Sequence, residues 1–327
     1  MTVLGNYGIG VLIVVGLAVT NESTAPAAER PTTVTIVSGR PGGLYHPVAG
    51  AICKLINEKT SEHRITCTIE FGVGSITNIE TMREGEVTLA IAQSDIQRDA
   101  ANGTGPFAEA GPFDAMRSIA SLFVEQLTVV ARKDKEIAEL EDLKGKRLNP
   151  SVPGSGQYVL MQRLMEAEGW SPGDVEIVTE LKAPDEAEAL CDGEYDAFSL
   201  AVGHPSPLIK EAAAACDVVL VPVDGPAVEK IIADEPLYTK SVVPAETYRN
   251  NPDAVPGLGL AATLVTTDAV DTDVVYEVTR ALFEGLDRLS EASPIFRSLS
   301  AEQMANEGLS APLHEGAARY YSKAGLR

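Results

Sequence analysis

Apolar positions along this chain change period at short, regular intervals. Residues 34–37 form a short apolar run that reads as a buried strand. Gly39, Gly42 and Gly43 follow, with Pro41 among them. From Pro47 onward Val48, Ala51, Ile52, Leu55 and Ile56 recur at helical spacing, and proline in a first helical turn loses no useful donor. The unit is therefore strand, glycine loop, helix. Residues 65–69 alternate Ile65, Cys67 and Ile69 as a strand. A second glycine turn, Phe71-Gly72-Val73-Gly74-Ser75, follows, with Ser75 placed to cap a helix that carries Ile76, Ile79 and Met82 and stops at Gly85. Residues 87–92 are an apolar strand ending in Gln93-Ser94-Asp95, and another short helix runs to Gly103.

Residues 118–133 are long for one strand, and 127–131 are the most regular apolar part. Beyond them the pattern restarts. A short helix is expected over 139–143 and a strand over 147–152, followed by Pro153-Gly154-Ser155-Gly156-Gln157. A helix then places Val159, Leu160, Arg163, Leu164 and Ala167 on one face. Strands are expected over 175–181, 197–202 and 217–223, and helices over 184–192 and 207–215. Residues 258–266 can return the chain to the first set of units, and helices over 272–289 and 316–323 close it. Repeated βα units imply parallel sheets with helices on their faces, and ligands bind beyond the carboxyl ends of such strands. The turns at 39–46, 72–78 and 93–95 share that edge in the first set of units. A strand near 127 carries the chain from one set to the other.

Composition narrows the class. A chain of 327 residues suggests two domains, and a 45% hydrophobic share is ample for real cores. Lys and Arg number 26 against 47 Asp and Glu, a net charge of −21, which argues against nucleic acid and anionic membrane surfaces as partners. Residues 9–19 are apolar and uncharged, well short of the roughly 20 residues a spanning helix needs. They fit the core of a secretory signal, with small residues at Ala25, Ala27 and Ala28, although residues 1–8 lack the usual basic residue. A buried N-terminal helix is the alternative. Export is adopted, with 1–30 as signal peptide and linker and a misplaced start codon as one account of the missing basic part. The cysteines agree with export. Cys53 and Cys67 lie in the first half and Cys191 and Cys216 in the second, so 53–67 and 191–216 are the natural pairing of the three that four cysteines allow.

Candidate chemistry gathers at the turns. Helix starts near His46 and Gln157 offer free N–H groups to an anion. Ser75, Asn78, Gln93 and Ser155 add neutral hydrogen-bonding groups, and Gly43, Gly154 and Gly156 let the backbone come close. Arg40 is either a bidentate carboxylate partner or an exposed loop arginine. His46 either reaches a ligand or caps its helix, and Tyr45 either walls a cleft or belongs to the core. Asp95 is a cap, or with Glu70 the group to meet an ammonium. Dinucleotide and P-loop spacings are absent. The four histidines, His46, His63, His204 and His314, show no metal-ligand spacing, and no G-x-S-x-G elbow occurs. A Ser155–His204 pair is the one arrangement that would suit a hydrolase. No metal and no cofactor are expected.

An ordered set of segments resembles one family: GGLYHPVAGAICKLIN (42–57), GSITNIETMREGEVTLAIAQSD (74–95), DLKGKRL (142–148), PGSGQ (153–157), CDGEYDAFSLAVGHPSPLIKEAAAACDVVLVPV (191–223), VVYEVTRALFE (274–284) and APLHEGAARYY (311–321). Together they are similar to TAXI-type solute receptors, the extracytoplasmic binding components of TRAP transporters, some of which carry paired cysteines. The resemblance implies an α/β fold of the two-lobed type II periplasmic-binding-protein class, each lobe a mainly parallel sheet flanked by helices, with hinge strands between. It places lobe I at 31–127 and 263–327 and lobe II at 128–262. It also implies a small carboxylate ligand such as glutamate, glutamine, another dicarboxylate or 2-oxoglutarate, held at the turn residues named above and His204. The implied setting is a periplasmic monomer meeting TRAP membrane subunits transiently, with no enzyme activity. A receptor serving a sensor system needs the same clamshell and is the alternative. Four departures fall in the presumed cleft: Tyr45-His46 replaces two tyrosines, residues 71–75 replace T-G-G-S, Gln157 ends what is often G-S-G-T, and Arg40 is outside the pattern. They bear on the ligand rather than on the fold.

Overall fold

The computed structural model describes residues 1–2, 31–40, 42–181 and 185–327. The signal-like run 9–19, the small residues after it, Pro41 and Pro184 lie outside the described residues. Strand β1 (Thr32–Val37) leads to helix α1 (Tyr45–Glu58), the short α2 (Thr60–His63), β2 (Ile65–Glu70), α3 (Ser75–Arg83), β3 (Leu89–Gln93) and α4 (Ser94–Asn102). The next strand, β4 (Met116–Arg132), runs unbroken for 17 residues. After it come β5 (Arg147–Asn149), α5 (Gly156–Ala167), β6 (Glu176–Ile177), α6 (Glu186–Cys191), β7 (Ala197–Val202), α7 (Pro207–Ala215), β8 (Val218–Val221), α8 (Pro226–Asp234) and β9 (Thr239–Val243). Strand β10 (Val255–Thr267) and helices α9 (Thr272–Glu284), α10 (Leu286–Ala292), α11 (Ala301–Asn306) and α12 (Glu315–Ala324) complete the chain.

Ten strands join into one hydrogen-bonded sheet in the order β2-β1-β3-β10-β4-β7-β5-β6, with β8 on β4 and β9 on β10. Strands β2, β1 and β3 are mutually parallel, as are β7, β5 and β6. Strand β10 runs antiparallel to β3 of the first group, β4 runs antiparallel to β7 of the second, and β10 and β4 pair antiparallel with each other. Residues 262–265 of β10 pair with β3, and 255–259 pair with β9. The later part of β4 pairs with β7 and β8. Two antiparallel strands thus carry the chain between two parallel half-sheets.

Helices cover each half. The apolar face of α1 is buried through Val48, Ile52, Leu55 and Ile56, as its spacing predicts, although the helix starts two residues before Pro47. A core of Leu148, Leu160, Met161, Leu164 and Ala197 builds the second half. Disulfides Cys53–Cys67 and Cys191–Cys216 tie one helix to a neighbouring segment in each half, in the pairing expected. Three local expectations are corrected. The helix expected over 272–289 is two helices parted at Gly285, where a side chain would collide with Leu55. The strand expected over 175–181 is only Glu176–Ile177, both exposed at the end of the sheet order. Ser75 is the first residue of α3 rather than its side-chain cap, because its Oγ accepts the Gln93 N–H at 3.0 Å.

Candidate functional site

Glycine-rich turns from both halves meet over a cavity of about 290 Å³. From the first half come the β1–α1 turn with Gly39, Arg40, Gly43 and Tyr45, the turn before α3 with Gly74 and Ser75, and Gln93 at the end of β3. From the second half come Ser155, Gly156 and Gln157 at the start of α5, together with Glu186 and Ser206. Two glycines are required by this meeting. Gly74 has φ +155, and a Cβ there would lie 3.0 Å from the Ser155 Cα. A Cβ on Gly156 would lie 1.9 Å from the Gln93 Oε1. The turns are also bonded to each other, since the Thr77 N–H donates to the Gly154 carbonyl at 3.4 Å.

Of the residues expected to hold a ligand, Arg40, Gly43, Tyr45, Ser75, Gln93, Ser155, Gly156 and Gln157 line this cavity. The others do different things. His46 faces away, its Nδ1 3.1 Å from the Ser38 Oγ and its ring stacked on Phe71 at 4.1 Å. Asn78 is fully buried and donates to the carbonyls of Ser38 and Ile91, which fixes the ends of β1 and β3. Gly154 contributes its carbonyl to Thr77. Asp95 is buried beneath the cavity wall, where it accepts from Arg163 at 2.5 Å and from the Tyr238 hydroxyl at 2.8 Å. Burial raises its carboxyl above the usual carboxylate range, with Arg163 and Tyr238 pulling it back in part. Glu70, the other acid named for an ammonium, is exposed on β2. His204 is enclosed between Thr128, 2.9 Å from its Nε2, and Tyr248, 2.6 Å from its Nδ1. Burial lowers its pKa to about 4, so the ring is neutral.

Ser155 and His204 do not form a nucleophile–base pair. The Ser155 hydroxyl donates to the Val152 carbonyl at 2.7 Å and accepts the Tyr158 N–H as the cap of α5. Among the described residues no group of three His, Cys, Asp or Glu is placed to hold a metal ion.

Arg40 bridges the mouth of the cavity. Its Nη2 donates to the Ser151 Oγ at 3.0 Å and to the Glu186 Oε1 at 2.7 Å, so a loop of the first half is tied to two segments of the second. A carboxylate entering the cavity would compete with Glu186 for this guanidinium.

Sequence reasoning passed over the acids of the wall. Glu125, on β4, is 2% exposed and lines the cavity. Its Oε2 accepts the Tyr45 hydroxyl at 3.0 Å. Burial pushes its carboxyl up to about 8, against the hydrogen bonds of Tyr45 and Gln93. The signal was present: Glu125-Gln126 stands between Leu122-Phe123-Val124 and Leu127 in the middle of β4, and a buried carboxyl in such a run needs a partner or a purpose. Asp185, Glu186 and Glu211 complete the acidic part of the wall.

The sequence profile of the NMT1-like family matches residues 36–325. Among solved structures, MatC from Rhodopseudomonas palustris with bound malate is 16% identical, with a TM-score of 0.56 over 90% of this chain and 99% of that one. A protein of Bordetella bronchiseptica RB50 is 15% identical, with a TM-score of 0.56 over 90% and 98%. A Xanthomonas citri protein bound to chloride ion is 10% identical, with a TM-score of 0.50 over 90% and 97%. The fold is that of the type II periplasmic binding proteins.

Proposed function

The chain belongs to the NMT1-like family, and on that premise we propose that it is an extracytoplasmic solute receptor of the TAXI type. It captures a small carboxylate between two lobes and delivers it to the membrane component of a TRAP transporter. The lobes are 31–127 with 263–327, and 128–262. The chain is exported through residues 1–30 and acts as a monomer without catalysing a reaction. The observation that carries this reading is the cavity itself, closed by Gly/Ser turns from both half-sheets and holding Arg40 and the first N–H groups of α5. Neither half surrounds that space alone, so capture requires the halves to close. A helix start and an arginine are the groups that receive a carboxylate. Ser155 is committed to capping α5, which supports a binding role over a hydrolytic one. In the same fold, MatC holds malate.

Thermal melts against a panel of small carboxylates test the reading. A ligand that binds only the folded form at about 100 times its Kd adds about 2.7 kcal/mol of stability. The expected outcome is a raised Tm, with the ligand recovered unchanged. Chemical conversion of the ligand would replace the receptor by an enzyme. A flat response across the panel would remove the carboxylate class.

A further inference from the structure

We propose that Glu125 and Gln93 form a subsite in the cavity wall for a positively charged, N–H-donating nitrogen of the ligand. The receptor then selects zwitterionic small carboxylates over dianions and 2-oxo acids. The proposal rests on the receptor reading above and narrows it.

Three independent observations converge. Gln93 is 2% exposed and lines the cavity, yet its Oε1 has no hydrogen-bond partner. A buried acceptor left unpaired is uncommon in folded proteins and calls for a donor. Glu125 lies in the same wall, equally buried, with the Tyr45 hydroxyl on its Oε2 and no cation bonded to it. Finally, among the described residues the wall sets one cation, Arg40, against four acids, Glu125, Asp185, Glu186 and Glu211, and Arg40 is already paired with Glu186. A dianion entering this field meets repulsion from Asp185 and Glu211, whereas an ammonium is drawn to them and to the carboxylate that Glu125 becomes on its arrival.

The donor inventory fits. An ammonium carries three N–H donors and no acceptor. It can meet the Glu125 carboxylate and the Gln93 amide oxygen together, while the carboxylate of the same ligand takes Arg40 and the start of α5. A 2-oxo group offers only acceptor lone pairs and leaves Gln93 unpaired.

Protonation supplies a readout. Without a cation beside it Glu125 keeps its proton at neutral pH, because burial outweighs its hydrogen bonds. The titratable groups around it are Tyr45 from α1, which donates to it, and Asp95 from α4, which is bonded to Arg163. Arg40, Glu186 of α6 and Glu211 of α7 share the cavity. An ammonium docking on Glu125 favours the ionised carboxylate, so its proton leaves to solvent.

Calorimetry at pH 7 in two buffers of different ionisation enthalpy measures this directly. The probes are matched pairs: L-glutamate with 2-oxoglutarate, and L-leucine with 4-methyl-2-oxopentanoate. In at least one pair the amino acid should bind at least tenfold tighter than its 2-oxo partner, with release of close to one proton per ligand. Glu125→Gln should abolish the release and bring the pair to within about threefold, with 2-oxo acid affinity retained. Proton release by the wild-type protein reports on the subsite even where the variant folds poorly. Equal or tighter binding of the 2-oxo acid, or amino acid binding without proton release, overturns the subsite and leaves a carboxylate receptor standing. If neither series binds, the carboxylate reading falls and the subsite falls with it.

Discussion

Among the arginines that reach across the halves of this molecule, Arg40 and Arg163 do so on opposite terms. Arg40 stands at the mouth of the cavity, 35% exposed, and pairs with Glu186, which is 16% exposed. Arg163 of α5 lies deeper. It reaches Asp95 and Asp99 of α4, whose side chains are 0% and 4% exposed, and it donates to the Tyr238 hydroxyl at 2.9 Å. Burial works against the charge of Arg163, but Asp95, Tyr238 and Asp99 outweigh it and the guanidinium stays charged. The difference teaches where exchange is possible. An exposed pair trades partners at small cost because water screens it. A buried cluster cannot, because loss of one member leaves uncompensated charge in a poor solvent. The mouth is therefore where one partner can be exchanged for another at least cost. The clasp between Arg163 and α4 joins the two halves in this arrangement, and none of its members lines the cavity.

The largest effect expected is at the clasp. Arg163→Met leaves Asp95 buried without its cation and Asp99 with only the longer pair to Arg98, 3.4 Å away, and should cost about 3–5 kcal/mol of stability. Urea unfolding of the unliganded protein measures it. A cost under about 1 kcal/mol would place Arg163 in the same class as Arg40 and end the distinction.

Glu125 sharpens the comparison, being a buried acid that has no such arginine. Its folded pKa of about 8 stands above the ordinary carboxyl value of 4.5, so its protonated form is the one the fold favours. Whatever stability that provides is complete below pH 4.5 and declines as pH rises through 8. Glu125→Gln imitates the protonated form at every pH. The variant should gain on the order of 3 kcal/mol over the wild type at pH 7, from about 1.4 kcal/mol per pH unit, and nothing at pH 4. Denaturation midpoints at the two pH values check it. A gain independent of pH would show that packing, and not proton linkage, separates the two proteins.

Much of the fold could be read in advance because its central parallel strands are apolar and its turns are marked. The burial of β3 and β7 is complete along their lengths, and the end of α4 is set by Gly103 in a left-handed conformation. The crossing strand β4 was legible because the long run over 118–133 is too extended for one half-sheet. What was misread depended on partners distant in sequence. The Ser75 hydroxyl is taken by the Gln93 backbone, and the close approach of Leu55 leaves no room for a side chain at Gly285, where the helix breaks. The site followed the same rule. Turn residues on the cavity wall were found from local signals, whereas the sequence around Glu125 marks a buried polar pair but not its partners, Tyr45 and Gln93, which only the fold brings beside it. Arg163 stood on the apolar face of its predicted helix, the mark of a buried ion pair, and its partners lie 64 and 68 residues away.

The smallest stability effect belongs to Arg40, and it is the one that separates stability from binding. Its pair with Glu186 is partly open to solvent, so Arg40→Ala should cost about 0.2–1 kcal/mol in unfolding. If the guanidinium receives the carboxylate of a ligand, the same substitution should weaken binding by more, roughly 1.5–3 kcal/mol, since a hydrogen bond to a charged group is lost. Glu186→Gln then moves the other way. It removes the competitor for Arg40, so carboxylate affinity should hold or rise while stability falls by a similarly small amount. Calorimetry and urea unfolding on both variants give four numbers whose pattern is decisive. Parallel losses of binding in the two variants would make the pair a structural strap across the mouth, with the ligand seated elsewhere. Loss in Arg40→Ala alone fits exchange, in which the incoming carboxylate takes the place of Glu186 as the halves close over it.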